Sequence, residues 1–511
     1  MSSPNAFTLW REHSIKDRIG TDVAVSKYLA LQYPDHHITR TNSERCDLVG
    51  FADAGYAIKT PERATGYDVT RFYKAPKLRQ EKGEGKIVED VKFARWRYVW
   101  EGTEFLVYEL ALQDYLVRTT KVSYILAPPD TAQADAMGHH PVTDRLLGAC
   151  GIWTKALHDE IYVYDDQQWK KDKELYTSVQ GASWDDVVLD APIKAKLVHD
   201  VEGFFDNQAL YHAMKVPWKR GVIFHGVPGN GKTISIKALV NALSTRDPPV
   251  PSLYVKSLDG CSSPKYALGQ IFAKARVVAP CLLIFEDLDS LVDDKNRSYF
   301  LNEVDGLDSN EGILMIGSTN HLAELDPAIT KRPSRFDRKY HFKVPNEEGR
   351  ATYCRYWKQK FDASSSPSSV DFSDDICPVV AKITEGFSYA YIKELFITSL
   401  LSLARAAQEL HGEDDDAAQD GSDSHSNPDG VVVETPTISS EGTERPKRVM
   451  PEVEVPKSLQ DNALMRTILR EAKTLWEQME SSEQEAKRKK AAPSCMPSQF
   501  AFRLPSGQED D

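Results

Sequence analysis

The chain reads as an α/β protein: a doubly wound parallel sheet, a helical subdomain after it, and a mixed α+β, strand-rich domain before it. Three observations carry that reading. From Trp184 to about Val344 short strands alternate with helical segments. Those strands, GVIFHG, SLYVKSL, CLLIFED and ILMIGSTN, are continuous apolar runs bounded by Gly, Ser or Asp, as strands buried on both faces of a parallel sheet are. From Asn346 onward the strands stop and helical segments take over.

With 511 residues, 41% of them hydrophobic, the chain has enough apolar surface for real cores, and wholly disordered or fibrous classes are excluded. Lys+Arg 63 against Asp+Glu 76 leaves a net charge of −13. Such a balance argues against a bulk surface built to hold nucleic acid or anionic lipid. Much of the excess sits between His411 and Glu444, which carries many acids and no Lys or Arg, so the folded body is close to neutral. The 7 cysteines, Cys46, Cys150, Cys261, Cys281, Cys354, Cys377 and Cys495, stand singly without a CxxC pair and suit a reduced compartment with buried free thiols. No apolar run reaches the ~18 residues of a membrane span, and the amino terminus lacks the apolar stretch of a leader. The expectation is an intracellular protein, cytoplasmic first, with mitochondrion and nucleus as alternatives.

In chain order, residues 1–175 are expected as an N-terminal α+β domain. Asp22 to Gln32 is helix-like, and KFARWRYVW and FLVYELAL are strands joined across Glu101, Gly102 and Thr103 in a hairpin. Its aromatic density is read as core, not as a base-stacking platform, because Lys and Arg do not line one face. The domain's role is not legible. The stretch YVYDDQQWKKDKELYTSVQGASWDDVVLD is expected as a polar connector. Residues 176–346 are the α/β domain and 347–410 a helical subdomain. Residues 411–456 are an acidic, Ser- and Pro-rich insertion expected to be disordered. Helical periodicity resumes over 457–490 with Leu464, Met465, Ile468, Leu469, Ala472, Leu475, Trp476 and Met479, completing the helical subdomain. Residues 491–511 are a tail expected to be disordered, after a basic Lys487–Lys490 run that is either a nuclear signal or a solvated helix end.

The chemistry lies in Gly226-Val227-Pro228-Gly229-Asn230-Gly231-Lys232-Thr233, a GxxxxGK[ST] motif between an apolar strand and a helix-compatible segment. Glycines at this spacing let successive backbone N–H groups turn inward around phosphate oxygens at a helix N-terminus. Lys232 would reach the β and γ phosphates of a nucleotide and Thr233 would coordinate Mg²⁺. A second carboxylate centre follows: Leu282 to Phe285 ends in Glu286 and Asp287, at the strand end where such sheets bind ligands. One acid belongs near the Mg²⁺ shell with Thr233, and the other orients an attacking water. The alternative is that the two acids cap the next helix.

The next strand ends in Ser318, Thr319 and Asn320 and leads through Asp326-Pro327-Ala328 to Arg332-Pro-Ser-Arg335-Phe-Asp-Arg338. Taken together with the P-loop and the acidic strand end, these residues resemble the AAA ATPases over about Trp184 to Leu403, and Gly386-Phe387-Ser388 is similar to that family's sensor-2 segment. The resemblance implies ATP and Mg²⁺ as ligands and ATP hydrolysis as the reaction. It implies that Asn320 is the first sensor, beside the γ-phosphate or attacking water. Arg335 and Arg338 would be fingers that act on the ATP of a neighbouring subunit. A homo-oligomeric ring, a hexamer by the family's habit, is implied with them; the alternative for the arginines is a surface cluster with Asp337. Asp186, Val187 and Val188 match the segment that lies over adenine.

Two departures matter. Where the family commonly ends the acidic strand in Asp-Glu, this chain has Glu286-Asp287, which places the shorter acid in the water-orienting position. That order, WDDVVLD and PWKRGVIFHGVPG are similar to the mitochondrial Rieske-protein translocase branch, whose transmembrane segment is missing here. The segment SLDGCSSPKYALGQIF also lacks the aromatic-hydrophobic-glycine pore loop of unfoldases; Tyr266 is either a substitute grip or an ordinary helix-face aromatic. The leading expectation is a ring-forming, chaperone-like ATPase acting on a protein client of unknown identity. A nucleotide-binding scaffold with negligible hydrolysis is the alternative, and no nucleic-acid partner is expected because no basic stripe is found.

Overall fold

In the computed structural model, residues 21–491 are described apart from 63–67, 75–84, 114–118, 130, 132–133, 261–262, 307–308, 333, 364–369 and 413–449. Most of the expected acidic insertion and nearly all of the expected tail lie outside the described residues. The chain divides into two units, Met1–His158 and Asp159–Asp511.

The first unit is built on strands β1 (His37–Asn42), β2 (Ile58–Pro61), β3 (Asp68–Lys74), β4 (Lys86–Trp100), β5 (Thr103–Gln113) and β6 (Thr119–Ala127), in spatial order β1-β6-β5-β4-β2 with β3 also on β4. Every pairing is antiparallel. Glu101 and Gly102, both at positive φ, make the tight β4–β5 turn, so Trp100 faces Thr103 across it. Alternation sorts the side chains onto two faces. Trp96, Tyr98, Trp100, Phe105 and Val107 pack with Leu48, Phe51, Leu146 and Cys150, whereas Tyr108, Leu110, Tyr124 and Leu126 pack with Leu29 of the helix Thr21–Gln32. The aromatic residues are therefore core, and the sheet carries helices on both sides.

The second unit holds a seven-stranded sheet of β7 (Ile161–Asp165), β8 (Gln168–Asp172), β9 (Lys219–His225), β10 (Ser252–Val255), β11 (Cys281–Phe285), β12 (Ile313–Thr319) and β13 (Arg338–His341), in order β13-β9-β12-β11-β10-β7-β8. All neighbours are parallel except the β7–β8 hairpin. That hairpin lies in the stretch expected to be a polar connector. Ile161, Tyr162, Val163 and Tyr164 are buried, and Asp166 and Gln167 turn the chain at positive φ, so the segment extends the sheet at β10. The division of the chain thus falls near 158, earlier than the expected 175. The polar residues of the hairpin edge disguise the four buried ones.

Four helices, Glu347–Asp362, Ile376–Ile383, Tyr389–Gly412 and Ala463–Ala491, form the helical subdomain around one core that includes Phe387, Ile392, Leu395, Leu464, Ile468 and Trp476. Met450, Val453 and Val455 already pack against it, so the chain rejoins the core before the expected boundary at 456. Among the described residues no helix is long and apolar enough to cross a membrane.

Candidate nucleotide site

The site grows from the carboxyl ends of the parallel strands. β9 is buried from Gly221 to Phe224 and delivers the loop Gly226–Gly231 to the start of the helix Lys232–Ser244. Gly226, Gly229 and Gly231 all adopt positive φ, the backbone state that lets their amides curl inward. A Cβ at Gly229 would stand 2.6 Å from Ala390 Cβ and 3.0 Å from Ser388 Oγ, so glycine is required there for space as well as conformation. Ala390 N–H donates to Gly229 O (3.0 Å) and Tyr389 N–H to Asn230 Oδ1 (3.4 Å), which stitches the phosphate loop to the first turn of the helix Tyr389–Gly412. Gly386, at φ 79, turns the chain into that helix.

Lys232 is 8% exposed, and its ammonium donates to Gly226 O (2.6 Å) and Val227 O (3.3 Å). Burial pulls its pKa down, opposed by the charges of Asp287, Asp289 and Glu286. β11, fully buried, carries Glu286 and Asp287 to the same place. Glu286 Oε2 accepts a 2.7 Å hydrogen bond from the Tyr254 hydroxyl of β10. Asp287 sits at φ 50, and its N–H donates to Ser318 Oγ (3.2 Å) at the end of β12.

Gly229, Gly231, Lys232, Thr233, Glu286, Asp287, Ser318 and Asn320 all line one cavity of about 700 Å³. The cavity also takes in Asp186, Val187 and Val188, the segment expected over a base. Its size falls in the usual range for small-molecule sites. Of the expected phosphate-loop residues Pro228 lines the cavity too, whereas Gly226, Val227 and Asn230 are not among its lining residues. What sequence reasoning missed is the wall supplied by the helical subdomain: Tyr353, Tyr356, Trp357, Lys360, Tyr389 and Lys393. The spacing of Tyr353, Tyr356, Trp357 and Lys360 at three and four residues in one helix was a readable signal of a shared face. Tyr356 OH donates to Asp186 Oδ1 (2.6 Å), and Lys360 lies 3.3 Å from the same oxygen.

The donor set fits Mg²⁺. A threonine hydroxyl and two carboxylates are hard oxygen ligands that suit an ion sharing its shell with phosphates and water. Among the described residues no group of three or more His, Cys, Asp or Glu could hold a metal ion.

Arg335 and Arg338 do not line this cavity. Arg335 is 6% exposed; its guanidinium makes a two-pronged pair with Asp305 (Nε–Oδ1 2.9 Å, Nη2–Oδ2 2.6 Å) and donates to Ala328 O. That pair holds the Asp305 carboxyl below its usual range. Arg338, with 42% of its side chain exposed, lies 3.4 Å from Asp200. Asp337, considered from sequence as a partner for these arginines, is bonded to Arg220 instead (2.9 Å). Tyr266 is exposed in the first turn of the helix Pro264–Val278. Five described cysteines are buried and free.

Residues 222–344 match the profile of the "ATPase family associated with various cellular activities (AAA)". The chain is similar to the ATPase family gene 2 protein of Saccharomyces cerevisiae, 26% identical over 235 residues, which is 43% of this chain and 28% of that protein. It is also similar to the ATPase histone chaperone YTA7 of the same yeast, 28% identical over 221 residues, 40% of this chain and 15% of that protein. The chain therefore spans only a minor part of the length of these relatives.

Proposed function

We propose that this chain, whose residues 222–344 match the AAA profile, is an AAA ATPase that binds ATP with Mg²⁺, hydrolyses it to ADP and phosphate, and uses the cycle in a homo-oligomeric ring to remodel a protein client. The observation that supports hydrolysis is the convergence of Lys232, Thr233, Glu286, Asp287 and Asn320 on one cavity. Mg²⁺, which Thr233, Glu286 and Asp287 would hold, would supply charge neutralisation for the phosphates. The glycine-loop amides and Lys232 hold the phosphates in place. Asp287 orients the attacking water and accepts its proton, and Asn320 fixes that water or the γ-phosphate. Ser318 supports this assignment, because it holds the backbone of Asp287.

The fingers belong to the ring reading. Arg338 is the better candidate to reach a neighbouring subunit, and the 42% exposure of its side chain supports that choice. Arg335 can join it only by exchanging Asp305 for a phosphate. The wall of tyrosines and Trp357, tied to Asp186 through Tyr356 and joined by Val187 and Val188, receives the base. The relative named a histone chaperone is consistent with a protein client here.

The test is steady-state ATPase turnover against enzyme concentration, with Asp287→Asn as the control. Turnover that rises with concentration and vanishes in the variant supports an assembling hydrolase. Tight ATP binding with turnover no better than the variant's would make the chain a nucleotide-gated scaffold, with the shorter Asp287 as its cause.

A further inference from the structure

The swapped acids raise a geometric problem. A glutamate at the first position carries its carboxylate on one methylene more than an aspartate, and each added torsion is a way to miss a metal. The sheet supplies an answer from the neighbouring strand. Tyr254 and Ile284 are register partners in the parallel β10–β11 pair, and Glu286 lies two residues beyond Ile284, on the same face by the alternation of a strand. This face is the one packed against the helix Lys232–Ser244, because Ile284, Ile236, Val240 and Tyr254 share one core cluster. Thr233 opens that helix, so the hydroxyl expected to ligate Mg²⁺ and the Glu286 carboxylate meet from the two sides of one layer.

The Tyr254 hydroxyl, 2.7 Å from Glu286 Oε2, engages one carboxylate oxygen. Among the described residues Oε1 accepts no protein hydrogen bond. A side cavity of about 170 Å³ beside the pair is lined by Thr233, Lys237, Tyr254, Glu286 and aliphatic residues, including Ile236, Val240 and Ile284. Without the tyrosine, the longer side chain has room to swing there.

We infer that Tyr254 is a positioning residue: its hydroxyl ties down Glu286 Oε2 and so aims Oε1 at the Mg²⁺ that accompanies ATP. The pairing makes the Glu286-Asp287 order workable, with the extra methylene taken up by a fixed donor. The inference rests on the functional reading above, and it names the residue through which Glu286 acts.

The experiment uses the full chain and a fluorescent ATP analogue, with MgCl₂ titrated from an EDTA baseline. Binding needs no turnover, so the result does not depend on hydrolysis. For Tyr254→Phe the expected outcome is metal-free binding within about twofold of wild type and a half-saturating Mg²⁺ concentration raised about tenfold, the loss of one hydrogen bond to a charged group. Adding Tyr254→Phe to Glu286→Asp, whose shorter arm cannot reach the hydroxyl, should leave the Mg²⁺ dependence of Glu286→Asp unchanged. A merely structural role would lower the melting temperature of both backgrounds alike and leave the Mg²⁺ midpoint where it was. An unshifted midpoint in Tyr254→Phe, or equal shifts in both backgrounds, would overturn the proposal and leave ATP binding standing. A wild-type chain that binds no nucleotide at any Mg²⁺ concentration would overturn the functional reading itself.

Discussion

Asp186→Asn should loosen the hold of the helix Glu347–Asp362 on the nucleotide cavity. The Asp186 carboxylate accepts from Tyr356 OH at 2.6 Å and from Ser183 N at 3.0 Å, and lies 3.3 Å from Lys360 Nζ. Burial works against its charge, but the bonds from Tyr356, Ser183 and Lys360 prevail and bring its pKa from 3.8 down to about 2. At full strength such a shift corresponds to roughly 2.5 kcal/mol. Because 22% of the side chain remains exposed, solvent screening reduces this to about 1–2 kcal/mol. Ser183 keeps part of it local, leaving ~1 kcal/mol across to Tyr356 and Lys360, or release of ADP about fivefold faster. The folded-state pKa is depressed, so the contribution is fully present above the unfolded value near 3.8 and disappears as pH falls through about 2. Stopped-flow displacement of a fluorescent ADP at pH 7 and denaturant melts from pH 7 to pH 2 read both effects. An unchanged release rate, or a stability gap between wild type and variant that widens below pH 4, would refute the reasoning.

Lys232→Ala should weaken ATP binding roughly 100-fold by calorimetry, because it removes the buried ammonium from the phosphate loop; an unchanged Kd would remove Lys232 from the site. Gly229→Ala forces a side chain to φ 79 and into Ala390, so stability should fall by ~1–3 kcal/mol in denaturant melts, and wild-type stability would disprove the close approach. Arg335→Ala removes the two-pronged bond to Asp305, which keeps Arg332 at 3.2 Å, and should cost about 1–2 kcal/mol of stability, which makes it a poor probe of a finger. Arg338→Ala, at a partly exposed position beside Asp200, should change stability by less than about 1 kcal/mol yet suppress turnover, with activity partly restored by mixing in Asp287→Asn subunits; full activity of Arg338→Ala alone would count against the finger.

The parts of the site that sequence reveals are those whose geometry is local. Glycine spacing, a following lysine and threonine, and two acids closing an apolar strand each carry their meaning within a few residues, and the structure gathers them. Tyr254 was hidden because its role depends on β10 lying beside β11, a neighbourhood set by strand order. Asp305 was hidden for the same reason: thirty residues separate it from Arg335, and only the folded loop joins them. Asp186 drew notice through its neighbours Val187 and Val188, but nothing in the chain pointed to Tyr356. The hairpin Ile161–Asp172 escaped because its outer strand, Gln168–Asp172, is polar throughout apart from Trp169 and looks like a linker in one dimension.

The bonds from the backbone N–H groups of Tyr389 and Ala390 to Asn230 Oδ1 and Gly229 O couple the phosphate loop to the helical subdomain. Reciprocity follows from linkage: whatever factor a bound triphosphate contributes to fixing the helix Tyr389–Gly412, a contact that grips this helix from outside must return to triphosphate affinity. A binder raised against the helical subdomain should then shift the ATP midpoint, and the size of that shift measures the coupling free energy between the two.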